Sequence, residues 1–137
     1  MTRILFLLLS ILLLPSYAAA HGDQQKKPAE LMENSGDILV LMHEIAQDPA
    51  ALGADESAAM NKLHEMIVST EDQLGHYAEA LAKTDPDRTL RLRAASGQFF
   101  AQVNEFHAAL HDSNLEKSQQ ALTRAGSVHK LLVLLLK

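Results

Sequence analysis

Histidine is the residue type with the greatest chemical potential in this chain, and one of its seven histidines stands apart. At 100° per residue, His129 lies at the centre of an apolar stripe along the last predicted helix. The stripe comprises Leu115, Leu122, Ala125, His129, Leu132 and Leu136. An imidazole that points into a helical bundle needs a partner, because burying an unbonded polar group costs on the order of 2–7 kcal/mol. A hydrogen bond to a neighbouring side chain would satisfy the ring, and so would a metal or a haem iron.

Four other histidines are predicted to gather at one end of such a bundle, namely His43, His64, His107 and His111. Two of them, His107 and His111, are four residues apart, so one helix face can present both rings to a single ion. Methionines and glutamates lie nearby in the sequence: Met42, Met60, Glu44 and Glu105. Imidazole combined with thioether and carboxylate suits Cu, Ni or Zn. The alternative is that these histidines are solvated or cap helix ends.

The two remaining histidines are less informative. His76 faces away from the apolar stripe of its helix, which indicates a surface position. His21 would be the first residue after a predicted cleavage site, where an α-amine and an imidazole together can chelate copper.

The beginning of the chain has the pattern of a secretory signal peptide. Arg3 precedes an apolar run at residues 4–14, Pro15 follows, and three alanines at residues 18–20 form a small-residue cleavage site. The apolar run is too short to span a bilayer comfortably. Removing 20 of the 137 residues leaves 117, and the loss of Arg3 takes the formal net charge from −5 to −6. The sequence therefore predicts an exported, periplasmic protein.

Composition excludes several functions. The chain has no cysteine, which excludes disulfides, thiolate metal sites and covalently attached haem. Its negative charge and the lack of a basic patch argue against nucleic acid as a partner. We find no nucleophile–base pattern, glycine-rich phosphate loop or paired carboxylate motif, so we do not expect an enzyme.

Helical spacing of apolar residues recurs four times after a short polar leader at residues 21–27. The predicted helices cover residues 28–47, 55–83, 86–111 and 113–137. Pro28 and Pro86 suit first helical positions, with Asp85 as an N-cap. Ser113 and Glu116 match a capping box at the start of the last helix. Because the last two connections are very short, neighbouring helices must be antiparallel. Residues 28–137 are therefore predicted to form one all-α domain, an antiparallel up-down-up-down four-helix bundle.

Two stretches resemble a known family of exported bundles, the cytochrome b562 and cytochrome c′ group. Residues 29–34 are similar to the opening of the first helix of b562-type proteins. Residues 113–117, followed by Ala121, Leu122, Gly126 and a basic residue at the end, are similar to the last helix of the c′ type. The resemblance implies a four-helix bundle that carries haem b noncovalently and transfers electrons to a redox partner protein.

The positions that would carry the haem differ from the family pattern. The methionine ligand of b562-type proteins would fall on Ser35 and the histidine ligand on Val133, while the two haem-bonding cysteines of the c′ type would fall on His129 and Leu132. Either the chain is a relative without haem, or the site has moved along the bundle. Met42 lies two turns after Ser35 and His129 one turn before Val133, both on the same faces. The displaced ligand pair would then be His129 and Met42.

The rival interpretation is a haem-free bundle that binds a Cu, Ni or Zn ion through the histidines, or binds a protein partner. The run at residues 131–136 is apolar on every side, which is more than three neighbouring helices can cover. This run could cover a haem pocket, form a dimer contact or touch a membrane.

Overall fold

A computed structural model describes residues 27–48 and 58–137 of the chain, which there form four α-helices and no strand. The helices are α1 (Pro28–Gln47), α2 (Ala58–Leu81), α3 (Pro86–His111) and α4 (Leu115–Leu136). The predicted all-α fold of four helices is therefore confirmed. The predicted signal peptide, nearly all of the polar leader and the predicted start of the second helix lie outside the described residues.

Helix starts follow from local chemistry at two of the predicted positions. Pro28 and Pro86 occupy first turns, where the missing N–H of proline removes no helical hydrogen bond. The Asp85 carboxylate accepts a hydrogen bond from the Arg88 backbone N–H at 2.9 Å, which satisfies one of the donors left open at the start of α3. The prediction of Asp85 as the N-cap is confirmed.

The predicted capping box at Ser113 is wrong, because Ser113 lies in the turn that follows α3. Its φ of 53° lies in the left-handed region, and its N–H donates to the Leu110 carbonyl at 3.0 Å. The N-cap of α4 is the next residue, Asn114, whose side chain accepts from the Lys117 N–H at 3.0 Å. The helix therefore begins at Leu115 rather than at Ser113.

The four helices pack as a ring in which α1 contacts α2 and α4, and α3 contacts the same two helices. Two contacts show that α3 and α4 are antiparallel. Arg88 Nε, near the start of α3, donates to the Leu135 carbonyl near the end of α4 at 2.8 Å. Further along, Glu105 of α3 lies 3.9 Å from Arg124 of α4. Positions thus rise along one helix as they fall along the other.

The predicted apolar stripes form the core. The largest fully buried side chains come from all four helices and include Phe99, Phe106, Leu31, Ile38, Met42, Leu63 and Leu132. One predicted stripe position is wrong: Leu115 is 55% exposed, since it lies in the first turn of α4 at the end of the bundle.

The apolar run at the end of α4 is only half covered. Leu132 and Leu136 are buried in the core, whereas Leu131 and Leu134 are 48% and 66% exposed. Within residues 27–48 and 58–137, no helix combines the length and the apolar character needed to cross a membrane. A role of this run in dimerisation or membrane contact stays a prediction.

Candidate functional site

The candidate site lies where α4 meets α1 and α3, around the imidazole of His129. Nε2 of the ring is 3.1 Å from the Ser35 hydroxyl oxygen of α1. The ring centroid lies 5.8 Å from that of Phe99 on α3, with the two planes tilted by 44°. A Cβ atom on Gly36 would sit 3.9 Å from His129 Cε1, so the backbone of α1 passes close to the ring. His129 is therefore held between two small residues of one helix and an aromatic residue of another.

Ser35 connects the ring to the backbone of α1. This fully buried serine has its hydroxyl oxygen 2.8 Å from the Leu31 carbonyl and 3.1 Å from the Met32 carbonyl. A hydroxyl has a single proton and carbonyl oxygens only accept, so donation to a carbonyl leaves Ser35 Oγ as an acceptor toward His129. In this network the ring proton of His129 is therefore on Nε2, which donates to Ser35. We call Ser35, His129 and the Met32 carbonyl the Ser35–His129 node.

Burial sets the charge of the ring. The half-buried position of His129 lowers its pKa below the ordinary value of 6.5, because desolvation disfavours the charged imidazolium. A hydrogen bond to the Met32 carbonyl acts in the opposite direction but is the smaller effect. His129 is therefore neutral at pH 7, the protonation state in which an imidazole can bind a metal.

A second polar contact lies beside this node on α1. Asn34 Nδ2 donates to Gln73 Oε1 of α2 at 3.0 Å, and Gln73 Nε2 donates to the Ser69 hydroxyl at 3.0 Å. Consecutive residues of α1 thus bond to opposite neighbours, Asn34 to α2 and Ser35 to α4. These directed bonds fix the position of α1 between its two neighbours.

The structure does not bring the predicted pair of Met42 and His129 together. His129 faces Ser35, and Met42 lies seven residues further along α1, about 10 Å along the helix axis. Met42 is fully buried and belongs to the hydrophobic core.

The four histidines predicted to form a cluster do not share a site. Within the described ranges, no three His, Cys, Asp or Glu side chains converge on a point where they could hold a metal ion. His43 is exposed and lies 2.7 Å from Gln47 through its Nε2, and His64 is exposed on α2. Of the four, His107 and His111 lie close together, with their ring centroids 4.6 Å apart.

His76 has the surface position that the sequence predicted. Its ring lies 3.6 Å from Asp72 and 3.9 Å from Glu79, with all three side chains largely exposed. Exposed contacts of this kind contribute little to stability, because water screens them.

Sequence reasoning missed Ser35 as the partner of His129, although a signal was present. Ser35 falls between Leu31, Ile38 and Met42 on the stripe of α1, just as His129 interrupts the stripe of α4. Two polar residues that interrupt apolar stripes on helices expected to touch are natural partners, since each needs a hydrogen bond when buried.

Comparisons with known proteins add no relative: no protein-family model, no curated protein and no solved structure matches this chain.

Proposed function

We propose that this chain is an exported four-helix bundle that binds haem noncovalently, with His129 as its protein ligand. The observation that carries the proposal is a neutral imidazole held inside the bundle, opposite the small residues Ser35 and Gly36. Neutral imidazole is a common axial ligand of haem iron.

The donor set fits one axial ligand and not two. Ser35 stands where the family resemblance would place a methionine, and Met42 is about two turns away. A histidine alone holds the iron in several haem proteins, so one ligand is chemically sufficient. Bound haem would supply one-electron exchange, which agrees with the electron transfer that the resemblance implies.

The surroundings of His129 set the requirements for loading. For Nε2 to hold the iron, its bond to Ser35 must break and the ring proton must reside on Nδ1 instead, and α1 must separate from α4 at this level of the bundle. The walls of the opened space would include Phe99, which lies beside the ring, and the buried core residues of the same helices. Ser35 keeps its hydrogen bond to the carbonyls of α1 when His129 moves away. Separation of the two helices therefore leaves no buried hydroxyl without a partner.

A haem titration tests the proposal. Adding haem to the purified protein should produce a saturable Soret band at one haem per chain. His129→Ala should abolish the band, and circular dichroism should show that the variant stays helical. His111→Ala is the matched control, because it removes an exposed histidine of α3 and should leave the titration unchanged. A wild-type protein without saturable binding would overturn the proposal.

Export to the periplasm is a separate part of the proposal and rests on residues 1–20. Mass spectrometry of the protein recovered from the periplasmic fraction of an expressing cell should find a chain that begins at His21. Recovery of the uncleaved chain from the cytoplasm would contradict it.

A further inference from the structure

The end of α3 carries two histidine rings that touch each other. His107 and His111 are separated by one helical turn, and their ring centroids lie 4.6 Å apart with an interplanar angle of 72°. α3 stays helical through His111, since the Asp112 N–H donates to the Ala108 and Leu110 carbonyls. The backbone therefore holds both Cβ atoms on one face at a fixed spacing.

The two rings differ in burial. His107 is half-buried, so packing against the bundle restricts its rotamers. His111 is exposed, so an ion in the solvent can reach its ring. Two imidazole nitrogens bound to one ion at about 2 Å each lie roughly 3 Å apart. Two rings whose centroids are 4.6 Å apart are close enough to place one nitrogen each at that separation.

The position in the helix also favours a cation. His111 lies in the last turn of α3, where the helix dipole places a partial negative charge. Its neighbour Asp112 adds a carboxylate at the same end of the helix. A divalent ion held by the two rings would thus lie in a negative potential.

We propose that His107 and His111 form a bidentate surface site for Cu(II), Ni(II) or Zn(II), separate from the Ser35–His129 node. Within the described ranges, no third His, Cys, Asp or Glu joins them. The described residues therefore supply two ligands to the ion. Imidazole selects these three metals over Ca²⁺ and Mg²⁺, and Cu(II) binds most tightly of the three.

Isothermal titration with each of the three metals tests the site. The untagged protein should carry His21→Ala throughout, which removes the possible copper chelate at a mature N-terminus. His111→Ala should weaken Cu(II) and Ni(II) binding by on the order of tenfold or more, because a second ligand on the same chain acts at a high effective concentration. His111 is exposed, so the substitution leaves the core intact.

The matched control is the double variant His64→Ala/His76→Ala. Both residues are exposed on α2, and neither has a histidine four residues away. This variant should keep the affinity of the His21→Ala parent. Equal loss in His111→Ala and in the control would overturn the site and leave only scattered single histidines.

A measurement on protein that retains both His107 and His111 identifies the ligands directly. In NMR spectra of the His21→Ala protein, substoichiometric Cu(II) should broaden the ring protons of His107 and His111 before those of the other histidines. Earlier broadening at His43, His64, His76 or His129 would contradict the proposal. The result is independent of haem, because His129 lies in the bundle interior on a different helix.

Discussion

Two regions of this molecule use the same side chain in opposite ways. In the Ser35–His129 node, the histidine is held inside the bundle, bonded to another helix and neutral. At the end of α3, His107 and His111 contact each other beside solvent. The difference lies in the access that each site gives to a ligand. Binding at His129 must displace its bond to Ser35 and separate α1 from α4, whereas the pair lies at the bundle surface, where His111 is exposed.

The largest expected effect is on stability, and it comes from a core residue outside the node. Met42→Ala should lower the free energy of unfolding by about 2–5 kcal/mol, because it removes a fully buried side chain. Chemical denaturation measures this loss. The haem spectrum should stay unchanged, since Met42 lies two turns from the residue that faces His129. A changed spectrum at full folding would restore the predicted pair of Met42 and His129.

Replacing Ser35 by methionine tests whether the node can supply a second haem ligand. Ser35→Met overfills a fully buried position and should cost about 1–3 kcal/mol in the haem-free protein. In the haem-bound protein the thioether would face His129 and give a low-spin, six-coordinate absorption spectrum. The matched control is Ser118→Met, which overfills another buried serine position, on α4 itself. It should destabilise the fold similarly and leave the spectrum unchanged.

The hydrogen bond of the node should contribute less. Ser35→Ala removes the hydroxyl that accepts from His129, and we expect a loss of about 0.5–1.5 kcal/mol in the free energy of unfolding. His129→Leu and the double variant complete a double-mutant cycle that isolates the coupling between the two side chains. Ser118→Ala is the control, because that hydroxyl bonds only within its own helix, to the Leu115 carbonyl. No coupling between Ser35 and His129 would show that the node does not join α1 to α4.

The smallest effect is a pH dependence. Burial lowers the pKa of His129 in the folded state, so the unfolded chain binds more protons between the folded pKa and 6.5. The contribution of His129 to stability is therefore present above pH 6.5 and is lost as pH falls through the folded pKa. The effect is small, because the ring is only half-buried and the Met32 carbonyl offsets part of the desolvation. Denaturation between pH 5 and 8 should show this slope in wild type and His76→Ala, and a weaker slope in His129→Leu.

The sequence predicted the helices well, because each one repeats an apolar stripe over 20 or more residues and begins at a recognisable signal such as Asp85–Pro86. It failed at Ser113 because a capping pattern does not reveal backbone conformation. The φ of 53° places that residue in the turn that closes α3 and not at the N-cap of α4.

The site was harder to predict than the fold. The interior position of His129 follows from periodicity, but its partner depends on the vertical alignment of α1 against α4, which stripes alone do not specify. A shift of one turn would place a different residue of α1 opposite the ring. The clustering of histidines fails for a related reason, because residues that share one end of a bundle can point in different directions, and no three such side chains converge in the described part of the chain.

The left-handed turn at Ser113 has a practical consequence for these experiments. An L residue in that conformation costs on the order of 1–2 kcal/mol, most of which glycine avoids. Ser113→Gly should therefore yield a more stable parent protein while changing no histidine. Variants that weaken the core could be compared in that background while still folded. The turn between α3 and α4 thus offers a way to raise stability at a distance from the Ser35–His129 node.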